Sequence, residues 1–173
     1  ETVESRVAEH TLDIGLIESP SHLPGVQNEV CCEDVLVMIC SPDHKLARSK
    51  RISAAEIAGE LFVSRELGSG TREFADNYFQ QNKIAPDTLN VVMELGSPEA
   101  IKGVVETGLG VSILSRTMVA KELKLGVLVA VPLHPPLIRN LSIVTPRNKF
   151  RSRLLSTFVE FATMRMKEMA AAQ

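Results

Sequence analysis

Two hydroxyl clusters flanked by glycine are the stretches of this sequence best suited to hold a ligand. The first is Gly68-Ser69-Gly70-Thr71-Arg72-Glu73 and the second is Gly96-Ser97-Pro98-Glu99-Ala100. Each follows an apolar run and precedes a helical pattern. Ser97 is placed as an N-cap with Pro98 at the first helical position, where a missing N–H costs nothing and the fixed φ suits the helix. In the first cluster either Ser69 or Thr71 can cap, while Gly68 and Gly70 let the backbone approach a ligand closely. A helix N-terminus carries unpaired N–H groups and a partial positive charge, so two that converge form a site for a small anion or carboxylate. The competing reading makes these hydroxyls caps alone, each worth about 1 kcal/mol to its helix. Arg72 has the same two readings: a partner for an anion, or a bridge to Glu66 or Glu73.

Other chemistries lack their residues. No Gly-Lys-Ser/Thr follows Gly70, which excludes a nucleotide phosphate loop, and no Gly-x-Ser-x-Gly is present for a hydrolase nucleophile. His10, His22, His44 and His134 are scattered without metal-ligand spacing, and no Cys-x-x-Cys pair occurs. No metal, no cofactor and no enzymatic activity are therefore expected. A net charge of −2 argues against binding nucleic acid through this chain, since that needs a clustered basic surface. Arg147, Lys149, Arg151 and Arg153 read as a solvated face. The three cysteines, an odd number with Cys31 and Cys32 adjacent, fit a reducing compartment. With no signal peptide and no apolar run of membrane-spanning length, a cytoplasmic location away from membranes is expected.

The elements that would position the two clusters alternate along the chain. Residues 2–10 carry Val3 and Val7 at helical spacing, and residues 12–17 read as a strand. Residues 26–30 and the continuous run Val35-Leu36-Val37-Met38-Ile39-Cys40 read as two strands, the second buried on both faces. Ser53-Ala54-Ala55-Glu56 fits a capping box. The strand at residues 61–64 leads into a helix over 71–82, with Phe74, Ala75, Tyr78 and Phe79 on one face. The strand at 91–95 leads into a second helix whose buried stripe is Ile101, Val104 and Val105. Strands at 110–114 and 127–131 with a short helix at 118–123 complete a pattern that predicts a mainly parallel sheet. Pro132, Pro135 and Pro136 break it, before a strand at 141–144. A terminal helix over 150–169 is expected to turn Phe150, Leu154, Leu155, Phe158, Phe161 and Ala162 inward.

Five segments in this order resemble one family: Leu12-Asp13-Ile14-Gly15-Leu16-Ile17-Glu18, Ser41-Pro42-Asp43-His44-Lys45-Leu46-Ala47, Gly68-Ser69-Gly70-Thr71-Arg72, Gly96-Ser97-Pro98-Glu99-Ala100-Ile101-Lys102 and Gly108-Leu109-Gly110-Val111-Ser112-Ile113-Leu114. Together they are similar to the effector-binding domain of LysR-type bacterial transcriptional regulators. The resemblance implies an α/β fold of the type 2 periplasmic-binding-protein kind, with two Rossmann-like lobes and a ligand cleft between them. Lobe I would comprise residues 1–42 and 138–173, and lobe II residues 43–137. It also implies that Ser41, Ser69, Gly70, Thr71, Ser97 and Pro98 meet the effector, with Glu18, Ser19 and Pro20 opposite. The expected partners are a small anionic effector and further copies of the chain, as a homodimer or tetramer. DNA would be bound only through an N-terminal helix-turn-helix that these residues do not include. Lobe I is expected to be N-terminally incomplete, its first strand, helix and second strand preceding Glu1. A free-standing solute-binding protein of a transport system is the alternative reading.

Overall fold

The computed structural model describes residues 3–18, 23–147 and 152–171. In chain order its elements are α1 (Val3–Ala8), β1 (Gly15–Ile17), β2 (Val26–Cys40), β3 (Ile52–Ser53), α2 (Ala54–Ala58), β4 (Leu61–Arg65), α3 (Gly70–Gln81), β5 (Asn90–Leu95), α4 (Pro98–Glu106), β6 (Ser112–Ser115), α5 (Ala120–Leu125), β7 (Val129–Pro146) and α6 (Arg153–Ala171). They form two compact units, Glu1–Asp34 with Arg139–Gln173, and Val35–Ile138. β2 and β7 each begin in one unit and end in the other.

In the Val35–Ile138 unit the apolar run of β2 serves two cores at once. Successive strand side chains point to opposite faces. Leu36, Met38 and Cys40 pack with Ile52, Ile57, Phe62 and Phe79. Val37 and Ile39 pack with Val63, Ile101, Val105, Leu114 and Leu128. Each such side chain contributes about 1.5–3 kcal/mol by leaving water, which explains a run without polar alternation. The cysteines are free, and burial pushes the Cys40 thiol up to about 11, consistent with a small core hydrophobe. The capping box expected at Ser53 and Glu56 is present and starts α2.

The parallel pairing expected from the sequence is present where strand, helix and strand follow one another, and also between β3 and β7, with Ile52 opposite Leu133. β4 pairs with β5 in parallel, and Phe62 bridges Val111, just before β6, in parallel. The approach is close enough that a side chain on Gly110 would meet the Leu61 carbonyl oxygen at 2.4 Å. β2 runs antiparallel to β6, with Leu36 opposite Ser115 and Ile39 opposite Ser112. A helical crossover dictates parallel pairing for successive strands, whereas β2 reaches β6 from far away in sequence.

In the other unit β1 pairs antiparallel with β7, Leu16 opposite Ile143. Val144 packs with Val7 and Val26, and its neighbour Ile143 packs with Cys31 and Val159 on the other face. The proline-rich break expected at residues 132–136 is extended strand, and β7 continues through it as one element. Pro132, Pro135 and Pro136 are exposed there, and their fixed φ suits extended backbone that need not donate a hydrogen bond. Likewise the two strands expected before residue 41 are the single β2. The terminal helix is rotated from expectation. Leu155 and Ala162 face the core as expected, joined by Val159 and Met166, while Leu154, Phe158 and Phe161 are exposed and Phe150 lies outside the described residues. Both stripes have helical spacing, so periodicity alone did not distinguish them.

Candidate functional site

Parallel pairing of β4 with β5 brings the two hydroxyl clusters to one end of a sheet. Ser64 lies opposite Glu94 and Arg65 opposite Leu95, and the Glu66 N–H donates to the Leu95 carbonyl at 3.2 Å. α3 and α4 begin a few residues beyond these strand ends, so both N-termini lie at the carboxyl edge, where open α/β sheets bind ligands. Arg72, in the first turn of α3, ties the two sides together. Its Nη1 donates to the Arg65 carbonyl at 3.0 Å and to Glu94 Oε2 at 2.6 Å. Arg65 grips Glu66 through two bonds of 2.8 and 2.9 Å, which hold the Glu66 carboxyl below its usual range.

The serines at these helix starts are used differently. Ser97 is the N-cap of α4, its Oγ accepting from the Ala100 N–H at 3.5 Å, with Pro98 at the first helical position. Ser53 caps α2 in the same way. Ser69 occupies the N-cap of α3 in extended backbone conformation, yet its side chain makes no capping bond. It is only 8% exposed. Gly68, at φ +86°, turns the chain so that Ser69 enters the helix with its hydroxyl uncommitted. The side chain borders a cavity of about 260 Å³ shared with Leu67, Gly68, Arg72, Glu73, Asp76 and Asn77. Thr71 is buried on the core side of α3, with Ala75, Tyr78 and Phe79. Charge on the outer flank is mixed. Burial raises the Asp76 pKa against the opposing pull of Arg72. Positive partial charge is therefore concentrated at the helix end, around Gly68, Ser69 and Gly70, rather than along the flank near Glu73 and Asp76.

Ser41 stands apart from this group. β2 is antiparallel to β6, so Ser41 follows the end of β2 that lies beside the start of β6. Its hydroxyl is 3.7 Å from where a side chain on Gly108 would begin, past the C-terminal end of α4. α4 has nine residues, so Ser41 and Ser97 are separated by a helix length of about 13 Å. The residues that share the carboxyl edge instead are Ser115, Arg116 and Thr117. The Thr117 N–H donates to Ser115 Oγ at 3.2 Å, and the Arg116 N–H to the Val35 carbonyl at 2.9 Å. Ser115 ends β6 and Arg116 and Thr117 follow it, so they were legible as a strand end, although not by helix capping. Glu18 belongs to the other unit, where Arg139 Nη1 donates to its Oε2 at 2.5 Å. Ser19 and Pro20 lie outside the described residues.

Lys102 anchors α4 from below. Its Nζ donates to the Met118 carbonyl at 3.2 Å and lies 2.9 Å from Glu99 and 3.1 Å from Glu122. Desolvation opposes its charge, but the two carboxylates outweigh this and raise its pKa. Among the described residues no group of three or more His, Cys, Asp or Glu could hold a metal ion, and no helix is long and apolar enough to cross a membrane.

Comparison with known proteins agrees with this fold. The family model for the LysR substrate binding domain matches residues 1–167. The uncharacterized HTH-type transcriptional regulator YeiE of Escherichia coli K12 is 38% identical over 161 residues, 92% of this chain and 53% of that protein. The HTH-type transcriptional activator CmpR of Synechocystis is 32% identical over 169 residues, 97% of this chain and 55% of that protein. The chain thus spans about half the length of these curated relatives. The regulatory domain of CcmR from Synechocystis PCC6803, solved in complex with 2-PG, has a TM-score of 0.82 and 26% identity, covering 98% of this chain and 77% of that one. The effector binding domain of QuiR, solved with shikimate, shares the fold at a TM-score of 0.80 and 18% identity, covering 96% and 77%. The fold is of the type 2 periplasmic-binding-protein kind, and the chain belongs to the LysR substrate-binding domain family.

Proposed function

We propose that this chain is the effector-sensing domain of a LysR-type transcription regulator, and that its effector is a small anion held at the N-terminus of α3. The observation that carries the anion site is Ser69, a buried N-cap whose hydroxyl is withheld from its own helix. The first-turn N–H groups of an α-helix lack intrahelical acceptors, so Gly70 supplies a backbone donor beside that hydroxyl. Ser97 and Pro98 set the neighbouring helix end, adding its dipole rather than a free side chain. The CcmR regulatory domain solved with 2-PG, which is 2-phosphoglycolate, supports an effector bearing phosphate or carboxylate oxygens. Ser41 is left out of the binding group because it lies beyond the opposite end of α4.

In the assembled regulator the effector acts by binding one conformation better than another, since only differential affinity shifts an equilibrium. DNA contact belongs to a helix-turn-helix outside these residues, and the working unit is a homodimer or tetramer in the cytoplasm. This reading assigns no catalysis to the chain. The test is calorimetric titration with 2-phosphoglycolate, inorganic phosphate and dicarboxylates, repeated on Ser69→Ala. Binding by an anion that the substitution weakens about tenfold or more supports the site. Affinity unchanged in Ser69→Ala removes it.

A further inference from the structure

We infer that the effector is an anion that also carries an ammonium group, the anionic end lying at Ser69 and the cationic nitrogen between Glu73 and Asp76. This rests on the anion site proposed above and adds the sign and place of a second charge. Ser69, Arg72, Glu73 and Asp76 line one cavity of about 260 Å³, so both halves of the site open into the same space. An apolar cavity of about 150 Å³ accommodates benzene, so a short-chain amine bearing a phosphate or carboxylate fits here. At one end the cavity meets donors: the Ser69 hydroxyl, on a residue 8% exposed and without a capping bond, and the first-turn N–H of Gly70.

Along the flank the same cavity meets carboxylates in excess. Arg72 is the cation on its lining, and Nη1 of that side chain is committed to Glu94 Oε2 at 2.6 Å and to the Arg65 carbonyl at 3.0 Å. Arg72 Nε is buried without a hydrogen bond, its distance of 3.6 Å to Asp76 Oδ2 being too long for one. Asp76 is therefore a partly buried carboxylate paired only at a distance, and burial raises its pKa. Glu73 is exposed and forms no ion pair among the described residues. Glu73, Asp76 and Glu94 thus share one guanidinium, which leaves negative charge uncompensated beside a positive helix end. A second negative charge on the ligand is repelled there, and an ammonium is attracted. Glu73 stands about 6 Å from Ser69 along the helix axis, and its side chain leans back toward the N-terminus, so a chain of a few atoms joins the two positions.

The experiment is calorimetric titration of this chain with O-phosphoethanolamine and with 2-phosphoglycolate, short phosphate esters that end in an ammonium and a carboxylate respectively. Inorganic phosphate reports the anionic group alone. O-phosphoethanolamine is expected to bind about tenfold tighter than 2-phosphoglycolate. Glu73→Gln, at an exposed position that leaves the fold intact, should reduce this preference by about threefold. Glu73→Gln combined with Asp76→Asn should abolish it while inorganic phosphate still binds. Ser69→Ala should weaken both esters by a similar factor. The inference is overturned if the two esters bind equally, if 2-phosphoglycolate binds tighter, or if the preference survives in the double variant. In each of these cases phosphate binding that Ser69→Ala weakens leaves the anion site standing. Absence of binding by all three compounds overturns the anion site and the inference together.

Discussion

Alanine at Ser69 and alanine at Ser97 should have opposite effects, although both residues are serines at helix N-caps. Ser97 Oγ accepts from the Ala100 N–H at 3.5 Å, a long bond. N-cap losses run from about 0.5 to 2 kcal/mol, and this geometry sets Ser97→Ala near the lower end, at about 0.5–1 kcal/mol. In a chain of this size that lowers the melting temperature by about 1–4 °C. Ser69 makes no capping bond, so Ser69→Ala removes nothing from α3 and should change stability by less than about 0.5 kcal/mol. For ligand binding the order reverses. A hydroxyl donating to an oxyanion contributes about 1.5–3 kcal/mol, so loss of Ser69 should weaken the effector by about ten- to a hundredfold. Ser97→Ala, whose hydroxyl is already engaged, should weaken it by less than about threefold. Scanning calorimetry of both variants and titration with 2-phosphoglycolate measure the two effects separately. If Ser69→Ala melts as low as Ser97→Ala while its affinity matches the parent chain, both serines are only caps and the argument from an uncommitted hydroxyl fails.

Three further outcomes follow from the packing. Gly110→Ala should destabilise the Val35–Ile138 unit by about 2 kcal/mol or more, because the new methyl carbon would sit 2.4 Å from the Leu61 carbonyl oxygen and must displace backbone; a urea midpoint unchanged from the parent chain would contradict it. Tyr78→Phe should cost about 1 kcal/mol by removing the bond of 3.1 Å from its hydroxyl to the His134 carbonyl, measured by the same unfolding curves. The Lys102 network should give stability a pH window. Glu122, for which burial is outweighed by backbone and Lys102 hydrogen bonds, and Glu99, bonded to Lys102, are both held below the ordinary 4.5. Their contribution is complete above 4.5 and fades as pH falls through the lower folded values. Lys102 is raised above 10.5, so its contribution is complete below 10.5 and fades as pH climbs past it. Lys102→Met should lower stability at neutral pH and flatten both edges of the profile, and a variant with unchanged edges would show that the network contributes little.

Local residue order settled much of this protein before any tertiary contact was considered. The double-sided burial of residues 36–40, with Val35 alone of the expected run exposed, the capping box at Ser53 and Glu56, and the start of α4 at Ser97 and Pro98 are consequences of short-range chemistry, and each is present. So is the succession of motifs that marks the LysR family. What remained open depended on groups distant in sequence. α6 carries two apolar stripes of equal spacing, and only the fold of its unit chose Leu155, Val159, Ala162 and Met166 over Leu154, Phe158 and Phe161. The direction of β2 against β6 sent Ser41 to the far end of α4 and left Ser115 at the carboxyl edge of the parallel strands instead, a choice that strand patterns do not encode because alternation is the same in either direction. The meeting of Glu18, Asp34 and Arg139 joins residues more than a hundred positions apart. Ser69 states the division most clearly. Its residue type and place announced a helix cap, and only the turn at Gly68 and the course of the backbone left its hydroxyl without that bond.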